Sequence, residues 1–275
     1  VSMPTEPDEI ATPGSVSRSV ADEARADSLA DRMKRYEQVT RSVLLPHSYT
    51  ILRVDGRAFH AYLRDAERPY DSTFVHDMRQ VATELCQQAS GAVFAYGQSD
   101  EISLLISDIE PQSQPWFGGV VQKMASVAAG IATAKLISQR GVKRLPHFDA
   151  RVFTLPSLAE VTNYFVWRQR DAVRNSISMA AQIKFSPKQL HGKNSDEVQE
   201  MLWREHGINW NDYPIEVKRG WVVARSVREA EVTYTDKRTG LEQTTTALRT
   251  FWEPVRPTPH FTHGFKLPGL AGESS

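Results

Sequence analysis

Two stretches decide how this chain folds: "YTILRVDGRAFHAYLRD" at 49–65 and "AYGQSDEISLLI" at 95–106. In the first, the β-branched and apolar run "SYTILRVD" (48–55) reads as a buried strand that ends at Asp55-Gly56. The second is a hairpin, in which "AVFAYG" and "EISLLIS" are strands and "GQSD" is the tight turn between them. Between them, "STFVHDMRQVATELCQQAS" (72–90) repeats apolar residues at 74, 75, 78, 81, 82 and 85. That spacing predicts a helix capped by Ser72 and stopped by Gly91. "PWFGGVVQKMASVAAGIATAKLISQR" (115–140) predicts a long helix ended by Gly141, and "HFDARVFTLPS" (147–157) a fourth strand. The order β-α-β-β-α-β is the split βαβ, or ferredoxin-like, unit of an α+β fold.

Outward from this unit, "SLADRMKRYEQVTR" (28–41) predicts a helix with Ser28 as its N-cap. Residues 159–185 read as one or two helices, and 195–207 as another with Ser195 as cap. "GWVVARSVREAEVTYTD" and "ALRTFWEPV" read as strands of a C-terminal extension. The expected organisation is a mobile acidic tail (1–27), a catalytic domain (28–157), and a helical and β region (158–275) packed on it.

The chain has 275 residues, 40% hydrophobic and 24% charged, with zero net charge. This is globular composition, and it gives no general pull toward nucleic acid. The charge is uneven, however. Of 33 basic and 33 acidic residues, the first 31 positions hold two and seven, which leaves 31 basic against 26 acidic. A mildly basic body permits RNA binding. The single Cys86 excludes an internal disulfide and a thiolate metal cluster, and fits a reducing cytoplasm. No stretch reads as membrane-spanning and no secretory leader is recognised, so a cytoplasmic protein with no membrane partner is expected.

In a split βαβ sheet the first and third strands are central neighbours. Asp55 at the end of one then lies beside Asp100 and Glu101 at the hairpin. Three carboxylates within a few ångström repel strongly unless a cation neutralises them. Hard oxygen ligands plus a backbone carbonyl at the Gly56 turn suit Mg²⁺, which completes its shell with waters and substrate phosphates. Either motif alone reads as ordinary turn chemistry. Together, on strands that the topology makes adjacent, they point to metal-assisted nucleotidyl transfer.

"RVDGRAFH", "AYGQSDEISLL", "FDARVFTLPS" and "YFVWRQRDAVRNS" resemble the tRNA-histidine guanylyltransferase family, in the same order over about residues 30 to 220. The resemblance implies a polymerase palm and 3′–5′ nucleotide addition to the 5′ end of the tRNA acceptor stem. It also implies ATP and GTP or other NTPs as substrates, and a homotetramer built as a dimer of dimers. Carried over, Asp55, Asp100 and Glu101 are the catalytic carboxylates, and Asp55, Asp100 and the Gly56 carbonyl hold two Mg²⁺ ions. Arg57, Ala58, Phe59, His60, Ser99, Lys123 and Asn175 are the nucleotide-binding candidates. The backbone N–H groups of "GRAFH" would cradle a triphosphate. Arg168, Arg174, Lys193, Lys218 and Arg219 are the RNA-binding candidates.

The chain departs from the family at two places. Gly118 and Gly119 replace basic residues at the start of the long helix. Val173-Arg174-Asn175-Ser176 stand where eukaryotic members carry His-Ile-Asn-Asn. Loss of that motif resembles the bacterial and archaeal "like" proteins, which repair 5′-truncated tRNA against a template rather than add guanosine to tRNA-His alone. Two rival readings are a palm-class nucleotide cyclase and a non-catalytic RNA-binding module. Acidic groups at the strand ends argue against the second.

Overall fold

The computed structural model describes residues 28–110 and 112–269; the tail expected at 1–27 lies outside them. The chain divides into two compact units, at residues 1–41 and 42–275. In the first, helix α1 (Leu29–Gln38) begins as expected at Ser28, whose hydroxyl accepts the Asp31 N–H at 3.1 Å.

The second unit is built on one antiparallel sheet of β1 (Tyr49–Gly56), β2 (Ala92–Gln98), β3 (Glu101–Ser107), β4 (Phe148–Leu155), β5 (Trp221–Thr235) and β6 (Glu242–Pro254). The strand order is β4-β1-β3-β2-β5-β6. Its first four strands have the ferredoxin-like arrangement expected from the sequence, with β1 between β3 and β4. The short α2 (Phe59–Tyr62) and the longer α3 (Ser72–Gln88) join β1 to β2, and α4 (Val121–Arg140) joins β3 to β4.

Both faces of the central strands are covered, which explains why those strands read as continuous apolar runs. Alternate residues point to opposite faces. Leu52, Val54, Ala95, Ile102 and Leu104 pack with Met78, Val81 and Leu85 of α3 and Met124, Ala128 and Leu136 of α4. Ile51, Phe94, Tyr96 and Leu105 pack on the other side with Val161, Tyr164, Phe165 and Ala172 of α5 (Leu158–Gln182). Burying each large apolar side chain contributes about 1.5–3 kcal/mol. The helical reading of 159–185 resolves into this single helix, capped by Ser157.

Beyond α5 come α6 (Pro187–Leu190), α7 (Ser195–His206) and α8 (Ile215–Arg219). Leu202 and Val198 of α7 pack with Ile177 and Ala181 of α5 and with Trp210. Among the described residues no helix is long and apolar enough to cross a membrane.

The structure revises several boundaries. The cap of α3 is Asp71, whose carboxylate accepts the Phe74 N–H at 2.9 Å, rather than Ser72. Asn194 with Glu197 forms the capping box of α7, rather than Ser195. The expected helix from 115 begins with a tight turn at Trp116–Gly119, in which Phe117, Gly118 and Gly119 have φ of 51°, 60° and 73°. A Cβ on Gly119 would sit 2.9 Å from the Leu44 carbonyl oxygen, so glycine there satisfies backbone packing. The second C-terminal strand starts at Glu242 instead of 247, because its first half, "EQTTT", is exposed and carries no apolar alternation.

β5 joins the sheet through β2, with Gly97 opposite Trp221. A Cβ on Gly97 would lie 2.3 Å from the Trp221 ring. Trp221 is 2% exposed and has no room to retreat. Gly97→Ala is expected to lower unfolding free energy by about 1–3 kcal/mol through overpacking, read by urea denaturation; an unchanged midpoint would show that the ring yields freely.

Candidate active site

The strand ends meet as the topology requires. Asp55 lies opposite Glu101 on β3 and opposite Asp149 on β4. Directly opposed residues share a face, with Cβ atoms about 5 Å apart. The Gly56 N–H donates to the Asp100 carbonyl at 3.2 Å. A Cβ on Gly56 would lie 2.7 Å from Asp100 Oδ2 and 2.5 Å from the Phe59 ring. Only glycine therefore lets the Asp100 carboxylate settle against the end of β1. Ser99 supports the same turn with φ of 49°.

Burial raises the Asp100 carboxyl above its ordinary range, and the charge of Asp55 adds to the effect. The Asp100 N–H and the Ser99 side chain oppose it by hydrogen bonding. Asp55 and Asp100 thus feel each other electrostatically, as two acids brought to one place should.

Glu101 has a different environment. Arg168 of α5 grips it with a two-point fork, Nε to Oε1 at 2.7 Å and Nη2 to Oε2 at 2.6 Å. Arg53, two residues before Asp55 and so on the same strand face, reaches Glu101 Oε2 at 2.6 Å and Asp55 Oδ2 at 3.7 Å. Asp171 closes the network, 3.2 Å from Arg168 and 2.7 Å from Arg174. Burial opposes the Arg168 cation, but Glu101 more than offsets this and holds the guanidinium above its ordinary pKa.

The expected metal ligands are Asp55, Asp100 and the Gly56 carbonyl, and Glu101 stands apart from them in its pairing with arginine. Among the described residues no group of three or more His, Cys, Asp or Glu side chains is placed to hold a metal ion. The cation that neutralises Glu101 is arginine, which leaves Asp55 and Asp100 as the carboxylate pair facing the open site.

Above this pair lies a cavity of about 500 Å³. Asp55, Ser99, Asp100 and Glu101 form one end; Arg68, Tyr70 and Phe74 form one wall and Asn175, Met179 and Gln182 of α5 another. Glu216, Val217 and Trp221, none of them among the site residues expected from the sequence, also line the cavity. Arg79 of α3 fixes Glu216 at 2.6 Å.

The remaining candidates divide clearly. Ser99, Asn175 and Arg168 line the cavity. Phe59 is 3% exposed and packs on Tyr62, Phe74 and Phe148, so its ring belongs to the core. Two N–H groups of the expected phosphate cradle are already used, Gly56 on Asp100 and Arg57 on His147 at 2.8 Å. Ala58 is exposed in the left-handed region at φ 56°, and His60 is exposed. Lys123 is exposed in the first turn of α4 and is not among the cavity walls. Arg168, expected to meet RNA, is 3% exposed and committed to Glu101 and Asp171. Arg174 is exposed beside the rim but paired with Asp171. Lys193 pairs with Glu197 at 3.9 Å. The Lys218 ammonium contacts the Asn211 carbonyl and lies 5.4 Å from the Trp210 ring centre. The Arg219 carbonyl accepts from the Tyr96 hydroxyl at 2.9 Å. None of these last three lines the cavity.

Sequence reading missed Arg53, Asp149 and Asp171. The first two carried a usable signal: strand parity puts Arg53 on the face of Asp55, and the βαββαβ order puts β4 against β1.

The profile of the family described as tRNAHis guanylyltransferase matches residues 30–156. A solved structure titled "Bacterial tRNA(HIS) Guanylyltransferase (Thg1)-Like Protein in complex with ATP" is 38% identical, with a TM-score of 0.73 over 85% of this chain and 94% of that one. The chain belongs to the tRNAHis guanylyltransferase family. A structure of the bacterial protein in complex with GTP is 37% identical with a TM-score of 0.69, over 85% of this chain and 94% of that one. The tRNA(His) guanylyltransferase of Saccharomyces cerevisiae is 29% identical over 222 residues, spanning 73% of this chain and 91% of the relative. The family is one of nucleotidyltransferases, and the mixed helix and antiparallel-sheet architecture here matches its palm fold.

The two acidic turn residues should respond oppositely to loss of charge. Asp100 has a raised pKa, so its ionised form costs the folded state stability that the protonated form does not. Asp100→Asn should therefore unfold at or above the wild-type denaturant midpoint. Burial raises the Glu101 carboxyl too, against the pull of Arg168 and Arg53. Glu101→Gln, however, takes the counter-charge from one buried and one half-buried guanidinium and should lose about 3–5 kcal/mol. Chemical denaturation of both at neutral pH checks the contrast; equal losses would contradict it.

Proposed function

We propose that the chain extends tRNA in the 3′–5′ direction at its 5′ end. The observation that carries this is the convergence of Asp55 and Asp100 at the mouth of a nucleotide-sized cavity, in a member of a nucleotidyltransferase family. Asp55 and Asp100 fit Mg²⁺: they are hard oxygen donors held close together, and Asp100 is raised in pKa by burial and by Asp55. The Gly56 carbonyl would be the further ligand. Bound there, Mg²⁺ would acidify an attacking hydroxyl and neutralise charge on the phosphates.

The reaction has two bond-forming steps. The 5′-phosphate oxygen of the tRNA attacks the α-phosphorus of ATP, giving an adenylylated 5′ end and releasing pyrophosphate. The 3′-hydroxyl of the incoming NTP then attacks the 5′-phosphorus, forms the phosphodiester and expels AMP. Bacterial Thg1-like relatives have been solved in complex with ATP and with GTP, and in this chain one nucleotide-binding region would serve both steps. In this chain the walls formed by Arg68, Tyr70, Asn175 and Met179 would hold the nucleotide while Glu101, tied to α5, keeps the acidic turn in place. Lacking His-Ile-Asn-Asn at 173–176, the chain would choose its base by pairing with the opposite strand of the acceptor stem.

Two measurements test the reading. Asp55→Ala and Asp100→Ala are expected to abolish nucleotide addition while the far-UV spectrum and unfolding transition persist; activity in both variants would end the assignment. 5′-Monophosphorylated tRNAs, intact and lacking one to three 5′ nucleotides, should be offered with Mg²⁺, ATP and each NTP. Preferential extension of the truncated species with the templated base is the expected result. Guanosine addition confined to full-length tRNA-His would contradict template dependence, and NTP turnover without tRNA would indicate a cyclase instead.

A further inference from the structure

We infer that Arg168 is a positioning residue that sets the spacing of Asp55 and Asp100 through Glu101, although it touches neither. The inference rests on the proposed function for its chemistry, but its geometry stands alone. The Arg168 and Glu101 side chains are 4% and 7% exposed, and their fork is the two-point contact that fixes both distance and orientation. Glu101 follows Asp100 directly in the chain, so an immobilised Glu101 side chain limits how far the Ser99-Asp100 turn can swing. In the other direction, Glu101 holds Arg53, whose same Nη2 reaches Asp55. One guanidinium on α5 therefore governs both aspartates, by backbone on one side and by a charge relay on the other.

Its own position is fixed by the next residue. The Gln169 amide donates to the Pro259 carbonyl at 2.9 Å and to the Arg219 carbonyl at 3.3 Å, and its oxygen accepts the Phe261 N–H at 2.7 Å. Gln169 is 2% exposed, so the turn of α5 that bears Arg168 is anchored to the C-terminal segment as well as to the sheet. The aspartates need this external restraint. Asp100 is desolvated and repelled by Asp55, and an unrestrained turn would relieve both penalties by moving into water. Lysine would preserve the charge at 168 but not the planar fork.

The test uses the full chain with Arg168→Lys and Arg168→Ala, measured for unfolding temperature, kcat and KM for nucleotide addition to truncated tRNA, and Mn²⁺ binding by electron paramagnetic titration. Arg168→Lys should unfold within a few degrees of wild type and keep its KM for NTP. Its kcat and Mn²⁺ affinity should each fall about 10- to 100-fold, the range for loss of a group that orients metal ligands. Because Arg168 borders the cavity, added guanidinium ion should restore part of the kcat of Arg168→Ala. A merely structural role predicts the reverse, since guanidinium weakens folding. Wild-type kcat and Mn²⁺ affinity in Arg168→Lys would overturn the inference, as would a raised KM at unchanged kcat, the sign of direct substrate contact. If the wild type adds no nucleotide, the proposed function fails while the Mn²⁺ titration still decides the role of Arg168. Should Arg168→Ala not fold, the lysine variant carries the decision.

Discussion

The Glu101–Arg168 ion pair is the constraint around which the site is arranged. A buried carboxylate without a cation is costly, and a buried pair stays favourable only when its geometry is good and its remaining lone pairs are bonded. Here Glu101 meets that condition through two guanidiniums, one from β1 and one from α5. The pair therefore ties the hairpin turn to both the sheet and the helix that covers it. Among the described residues, its neighbours Asp55 and Asp100 have no such two-point pairing, and Arg53 approaches Asp55 at 3.7 Å. The same short region thus holds one arginine-paired acid that organises and two acids available for chemistry.

The sheet makes this division possible. Covering both faces of its central strands leaves the strand ends as the place where polar groups meet solvent, and the cavity opens there. The C-terminal region is part of the same construction. β5 pairs with β2, Trp221 packs on Gly97, and Glu216 and Val217 complete a wall of the cavity. Residues remote in sequence from the acidic motifs consequently shape the space into which a nucleotide would fit.

The core of this arrangement was legible in the sequence where local pattern and local structure coincide. The β1 and β3 runs, the helix at 72–88, and the meeting of Asp55 with the Ser99-Asp100 turn follow from periodicity and βαββαβ order, while 159–185 read as one or two helices and proved to be one. What remained hidden depends on distant partners. Glu101 reads like Asp100 until Arg168, 67 residues away, is brought onto it. Arg168 in turn reads like a surface cation on a polar helix turn. The backbone amides of Gly56 and Arg57 look free for phosphate until the turn and His147 claim them. The first half of β6 has no buried face, and so leaves no hydrophobic trace to read.

The most direct test of the central claim is anomalous diffraction from crystals grown with Mn²⁺ and a nucleoside triphosphate. The account predicts Mn²⁺ bonded to the carboxylates of both Asp55 and Asp100, with Glu101 still held by Arg168. Metal bonded to Glu101 with Arg168 displaced, or no metal at either aspartate, would contradict it.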